Sequence, residues 1–96
     1  MNRGELLDQA KAIVTKDRND DYGTPEDNFA AIAKRWNLFL KARGIIGPDQ
    51  AISALDVPFL MIDMKMARAQ HKIEKIDNLV DIAGYADCAA SIIEPE

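Results

Sequence analysis

The sequence predicts an all-α domain, a bundle of about four helices completed by oligomerisation. Three observations carry this. Apolar residues recur at three- and four-residue spacing through four segments. No stretch alternates with period two over strand length, so no sheet is expected. Clusters of Asn, Asp, Gly and Pro separate the segments, and these residues favour turns for local steric and hydrogen-bonding reasons.

The first helix is expected from about Arg3 to Lys16. Leu6, Leu7, Ala10, Ile13 and Val14 form its apolar face, and Glu5, Asp8 and Lys11 face away. A polar stretch from Asp17 to Gly23 follows. Thr24 is placed as the N-cap of the second helix and Pro25 as its first residue, with Asp27 where a capping box wants a carboxylate. Phe29, Ile32, Ala33, Trp36, Phe39 and Leu40 make the core stripe, and Gly44 supplies the stop after Arg43.

Gly47-Pro48-Asp49 opens the next segment, and Ala51 to Leu55 is read as a short helical piece. Pro58 fits a first helical turn but would break a helix interior. The third helix therefore starts near Asp56, taken as N-cap, and runs to about Gln70. Its start is apolar nearly all round, which predicts a central position, and Met61, Met64 and Met66 read as gap-filling core. The fourth helix is expected from about Ile73 to Ile93. One face carries Ile76, Leu79, Val80, Ala83, Ala86, Ala90 and Ile93, and a second carries Ile82, Tyr85, Ala89 and Ile92. A helix with two apolar faces needs two neighbours, one from its own chain and one from a second chain.

Length and composition narrow the function classes. The 96 residues make room for one domain, 1–96, and a small helical core of this size often gains stability by self-association. No apolar run approaches the roughly 20 residues of a membrane span, and no signal peptide is apparent. The net charge of −4 gives no basic footprint for duplex nucleic acid. Cys88 is the single cysteine and His71 the single histidine, which excludes an intrachain disulfide and zinc sites built on several such ligands. A reducing, cytoplasmic location follows as an expectation.

Three constellations could carry chemistry. Glu74, Asp77 and Asp81 lie at i, i+3 and i+7, a line of carboxylates along the fourth helix. Carboxylates four residues apart repel by a few tenths of a kcal/mol, so either a divalent cation or a basic neighbouring helix should offset them. Helix-dipole stabilisation accounts for Glu74 and Asp77 near the first turn but not for Asp81. Lys65 and Arg68 share one side of the third helix, where a point charge and a planar fork suit phosphate; they suit salt bridges to the carboxylates equally well. Asp20-Asp21-Tyr22-Gly23 is a turn with a packed tyrosine or a loop in which Tyr22 stacks on a base. Cys88 reads as a small core residue and His71 as a surface or capping residue.

Asp21-Tyr22-Gly23 with Phe29 and Trp36, Asp56-Val57, Lys65-x-x-Arg68 and Asp77-Asn78-x-x-Asp81-Ile82-Ala83-Gly84-Tyr85-Ala86 together resemble a small phage and prophage family of unknown function. The resemblance runs from about Arg18 to Ala90, and the block from Asp77 to Ala86 is its most specific part. More distantly, the order of elements is similar to that of MazG-like nucleoside triphosphate pyrophosphohydrolases. That resemblance implies an all-helical, oligomeric protein in which an E-x-x-E pair and an E-x-x-D pair hold Mg²⁺ while a nucleotide is cleaved to a monophosphate and pyrophosphate. Glu74-x-x-Asp77 matches the second pair in form, and no E-x-x-E occurs in the chain.

Three readings result. In the first, the protein binds a nucleotide and acts as a Mg²⁺-dependent pyrophosphohydrolase, with Glu74, Asp77 and Asp81 on the metal, Lys65 and Arg68 on phosphate, and Tyr22 on the base. In the second, it sequesters a nucleotide signal without turnover. In the third, Asp77 and Asp81 pair with Lys65 and Arg68 in a structural or interaction protein. All three expect a homo-oligomer, in the cytoplasm of a bacterial host if phage-encoded.

Overall fold

The computed structural model describes residues 1–17 and 23–95. Among the described residues it contains four α-helices and no strand: α1 Glu5–Ala12, α2 Pro25–Ala42, α3 Asp56–His71 and α4 Ile76–Ile93. A π-helical turn, Ile13–Asp17, continues α1. The all-α expectation holds.

The ends of α2 follow from local chemistry. Thr24 Oγ1 accepts a hydrogen bond from the Asp27 backbone N–H at 3.3 Å, and Pro25 occupies the first turn, where no N–H is needed. At the other end Gly44 has φ +70°. The Ile45 N–H donates to Leu40 O at 2.9 Å and the Gly44 N–H to Lys41 O at 3.0 Å. This double closure satisfies carbonyls that the helix end would otherwise strand, and it requires the left-handed backbone that glycine adopts without strain.

Between α2 and α3 the expected short helix at Ala51–Leu55 does not form. Asn37 on α2 takes its place as a hydrogen-bonding partner. Its amide donates to Ile52 O at 2.9 Å, and its carbonyl accepts from the Ile52 N–H at 2.8 Å. With both polar groups of Ile52 satisfied from α2, helical bonding has nothing to add there. The role expected of Asp56 also changes. Leu55 is the N-cap of α3, and Asp56, its first residue, reaches back so that its Oδ2 accepts from the Ser53 N–H at 2.7 Å. Pro58 lies in the first turn, as its missing N–H demands.

The core joins α2, α3, α4 and the end of α1 through Phe29, Ala33, Val57, Tyr85, Cys88 and Val14. Phe29 and Tyr85 meet with ring centroids 6.3 Å apart and tilted, a favourable aromatic geometry. Cys88 is buried there as a small core residue. Gly84 allows the end of α1 close to α4: a Cβ at that position would stand 3.4 Å from Val14 Cγ1.

The central helix is α4, not α3. It packs against α1, α2 and α3, whereas α3 packs against α2 and α4. Residues expected to face inward are more than half exposed on three helices, Leu7 on α1, Phe39 on α2 and Met66 on α3. Each lies on a side of its helix that no other described element covers.

Candidate functional site

α3 and α4 are neighbours joined by a tight turn. Lys72 ends α3 with non-helical backbone, and the Lys75 N–H donates to Lys72 O at 3.1 Å before α4 begins at Ile76. The late start of α4 removes Glu74 from the helix, so the expected i, i+3 line from Glu74 to Asp77 does not form. Asp77 and Asp81 keep their i, i+4 relationship on α4.

A groove of about 610 Å³ opens where α3 ends and α4 begins. Lys65 and Arg68 from α3 and Asp77 and Asp81 from α4 line it together, which unites four of the six residues singled out in the sequence. Glu74 is exposed and does not line the groove, and Tyr22 lies outside the described residues. His71, Lys72 and Lys75 add three further side chains that sequence reasoning left out of the site. The signal for them was local. Arg68 and His71 fall in the last turn of α3, where cations complement the helix dipole, and the two lysines bracket the turn.

The charges within the groove divide into a pair and a surplus. Lys65 Nζ stands 2.8 Å from Asp81 Oδ2, and it is the ion pair found among the described residues. A basic neighbouring helix thus offsets the repulsion between Asp77 and Asp81. Arg68, Lys72 and Lys75 line the groove without an ion pair among the described residues, against the single carboxylate of Asp77. α4 also begins here without a side-chain cap. Its first-turn amides and positive dipole end favour an anion. Among the described residues, no three His, Cys, Asp or Glu side chains gather as a metal site.

A second groove of about 550 Å³ lies between α2 and the far end of α4. Its ionisable lining is acidic, from Glu26, Asp87 and Glu94. Ser91 Oγ donates to Glu26 Oε1 at 2.7 Å, tying α4 to α2. That bond, followed by one from the residue's own backbone N–H, holds the Glu26 carboxyl below its ordinary value. The two grooves have opposite sign, so only the first suits an anionic ligand.

Comparison with known proteins agrees with the phage resemblance at the level of family. Residues 5–93 match the model of a domain of unknown function, DUF6378. The chain is 36% identical over 89 residues to the Gene 55 protein of Mycobacterium phage D29, covering 93% of this chain and 54% of that protein. It is 33% identical over 91 residues to the Gene 55 protein of Mycobacterium phage L5, covering 95% and 54%. The chain therefore spans about half the length of these curated relatives. No solved structure matches it.

Proposed function

The chain belongs to the DUF6378 family, and we propose that it binds a nucleotide through its phosphates in the groove between α3 and α4. One observation carries this reading: Lys65, Arg68, His71, Lys72 and Lys75 converge on a groove at the uncapped N-terminus of α4. Arg68 supplies a planar fork for phosphate oxygens, and Lys72 and Lys75 supply mobile point charges. Lys65 acts differently. Its ammonium neutralises Asp81 at 2.8 Å and keeps that carboxylate from repelling the ligand. The groove's volume is in the range that small-molecule sites occupy, roughly 300–1,000 Å³. Tyr22 is assigned to the base.

The catalytic form of this reading adds Mg²⁺ on Glu74, Asp77 and Asp81. The donor set fits such an ion poorly. Glu74 stands off the helix, and the charge of Asp81 is already matched by Lys65. Sequestration of an intact nucleotide is therefore the better supported form.

The test is incubation with a panel of ribo- and deoxyribonucleotides, with and without Mg²⁺, followed by ultrafiltration and chromatography. Depletion of one intact nucleotide by the wild-type chain, lost in an Arg68→Ala/Lys72→Ala variant, is the expected result. Monophosphate and pyrophosphate in the filtrate would establish turnover instead. Full recovery of every nucleotide would overturn the proposal and leave the Lys65–Asp81 pair as a purely structural link.

A further inference from the structure

α4 carries an apolar face that the described chain leaves open, and we propose that a second copy of this chain covers it, antiparallel, α4 against α4. Ile76, Leu79, Ala83, Ala86, Ala90 and Ile93 follow one another at three, four, three, four and three residues. This is the seam spacing of paired helices, here unbroken by any polar residue and running the whole length of α4. The other sides of the helix are occupied. Asn78, Val80, Tyr85, Cys88 and Ala89 are buried, and α1, α2 and α3 all pack on α4. Yet Ile76, Leu79 and Ile93 are 39%, 41% and 60% exposed, and Ala86 and Ala90 are exposed with them.

Three features support a second copy as the occupant. First, the spacing reads the same in both directions. A two-fold axis between Ala83 and Ala86 sets Ile76 opposite the partner's Ile93, Leu79 opposite the partner's Ala90, and Ala83 opposite the partner's Ala86. Large side chains then meet at the two ends, a leucine meets an alanine inside them, and the helices approach most closely at the centre. Such self-complementarity is what an isologous interface requires.

Second, the flanking charges fit the antiparallel arrangement. Lys75 immediately precedes the seam and Glu94 immediately follows it. Two-fold pairing brings each Lys75, at the rim of the anion groove, within the field of the partner's Glu94, whereas parallel pairing would set like charges together. Antiparallel helix dipoles also attract.

Third, the chain exposes more surface than a monomer of its mass does on average. Its accessible area is 7026 Å², where a monomeric protein of 10.7 kDa averages about 5,500 Å². Its radius of gyration is 14.8 Å, against about 12.5 Å for a compact domain of this length. The surplus area exceeds the roughly 800 Å² that each partner contributes to a stable interface.

Light scattering after size exclusion at micromolar concentration gives the first test. The expected mass is twice the 10.7 kDa of the chain. Ala86→Arg places a charge at the centre of the seam on an exposed position, so it should yield a helical monomer by mass and circular dichroism. Orientation is tested by oxidation of cysteine variants, for which buried Cys88 is inaccessible. Ile76→Cys/Ile93→Cys should cross-link into covalent dimers, while either single variant should not. Antiparallel pairing holds two identical end positions about 26 Å apart at 1.5 Å per residue. A monomeric wild-type chain, or a dimer that survives Ala86→Arg, would overturn the proposal and leave the seam to a different helix. Cross-linking of the single variants would overturn the antiparallel pairing. Should Ala86→Arg lose its helical signal, the cysteine variants decide alone.

Discussion

Lys65 Nζ lies 2.8 Å from Asp81 Oδ2 and joins α3 to α4, with the lysine side chain 14% exposed and the aspartate 37%. The pair is half-sheltered, between the exposed bridges that contribute little and the buried ones whose breakage is costly. Asp81→Ala strands a mostly covered ammonium, and a loss of about 1–2 kcal/mol is expected in urea denaturation. Lys65→Met/Asp81→Leu should cost less than the sum of its single changes, because no charge is left unpaired. Additive single effects would show that the pair contributes nothing through its contact.

Arg68 separates a fork from a point charge. Charge-assisted hydrogen bonds contribute about 1.5–3 kcal/mol, so Arg68→Ala should weaken nucleotide binding on the order of tenfold or more. Arg68→Lys should recover part of this and not all, because the lysine cannot bond two oxygens in one plane. Isothermal titration of both variants checks the order. Equal binding by both and by wild type would remove Arg68 from the site.

Asn37 replaces a helical turn. Its two bonds to Ile52 are part-buried, at 2.9 and 2.8 Å. Asn37→Ala leaves one N–H and one C=O without that partner, and a loss of about 2 kcal/mol is expected. The Ile52 amide should lose hydrogen-exchange protection in the same variant. Retained protection would mean that another group takes over the bond.

Gly44 makes the α2 stop possible through its φ of +70°. Nothing stands within 4 Å of an added Cβ, so the cost of Gly44→Ala is the backbone cost alone, about 1 kcal/mol by thermal denaturation. A neutral outcome would mean that the chain ends α2 another way.

Glu26 gives a pH signature. Ser91 is the main reason its carboxyl sits below the ordinary value of 4.5. A depressed carboxylate contributes stability that is fully present above its ordinary value and lost as pH falls through the lowered one. Ser91→Ala should move the Glu26 titration upward in carboxyl NMR and flatten the dependence of stability on pH in that acidic window. An unmoved titration would show that the Ser91 hydroxyl is not the cause.

The sequence by itself determined the local features: four helices, the Thr24-Pro25 start, the Gly44 stop, the first-turn place of Pro58 and the core position of Cys88. These follow from hydrogen bonding within a few residues and from apolar period, and both are written along the chain. Tertiary structure decided what depends on residues far apart. It placed Asn37 against Ile52, so that an expected helix gave way to an irregular connection. It paired Asp81 with Lys65 and gathered Lys72 and Lys75 beside Arg68, turning a line of carboxylates into one wall of a mainly basic groove. Of the two apolar faces expected of α4, it buried most of one together with Val80 of the other, and left Ile76, Leu79, Ala86, Ala90 and Ile93 of that other face exposed. Helical spacing can mark two faces as apolar, but only the packing of distant segments determines which one is covered.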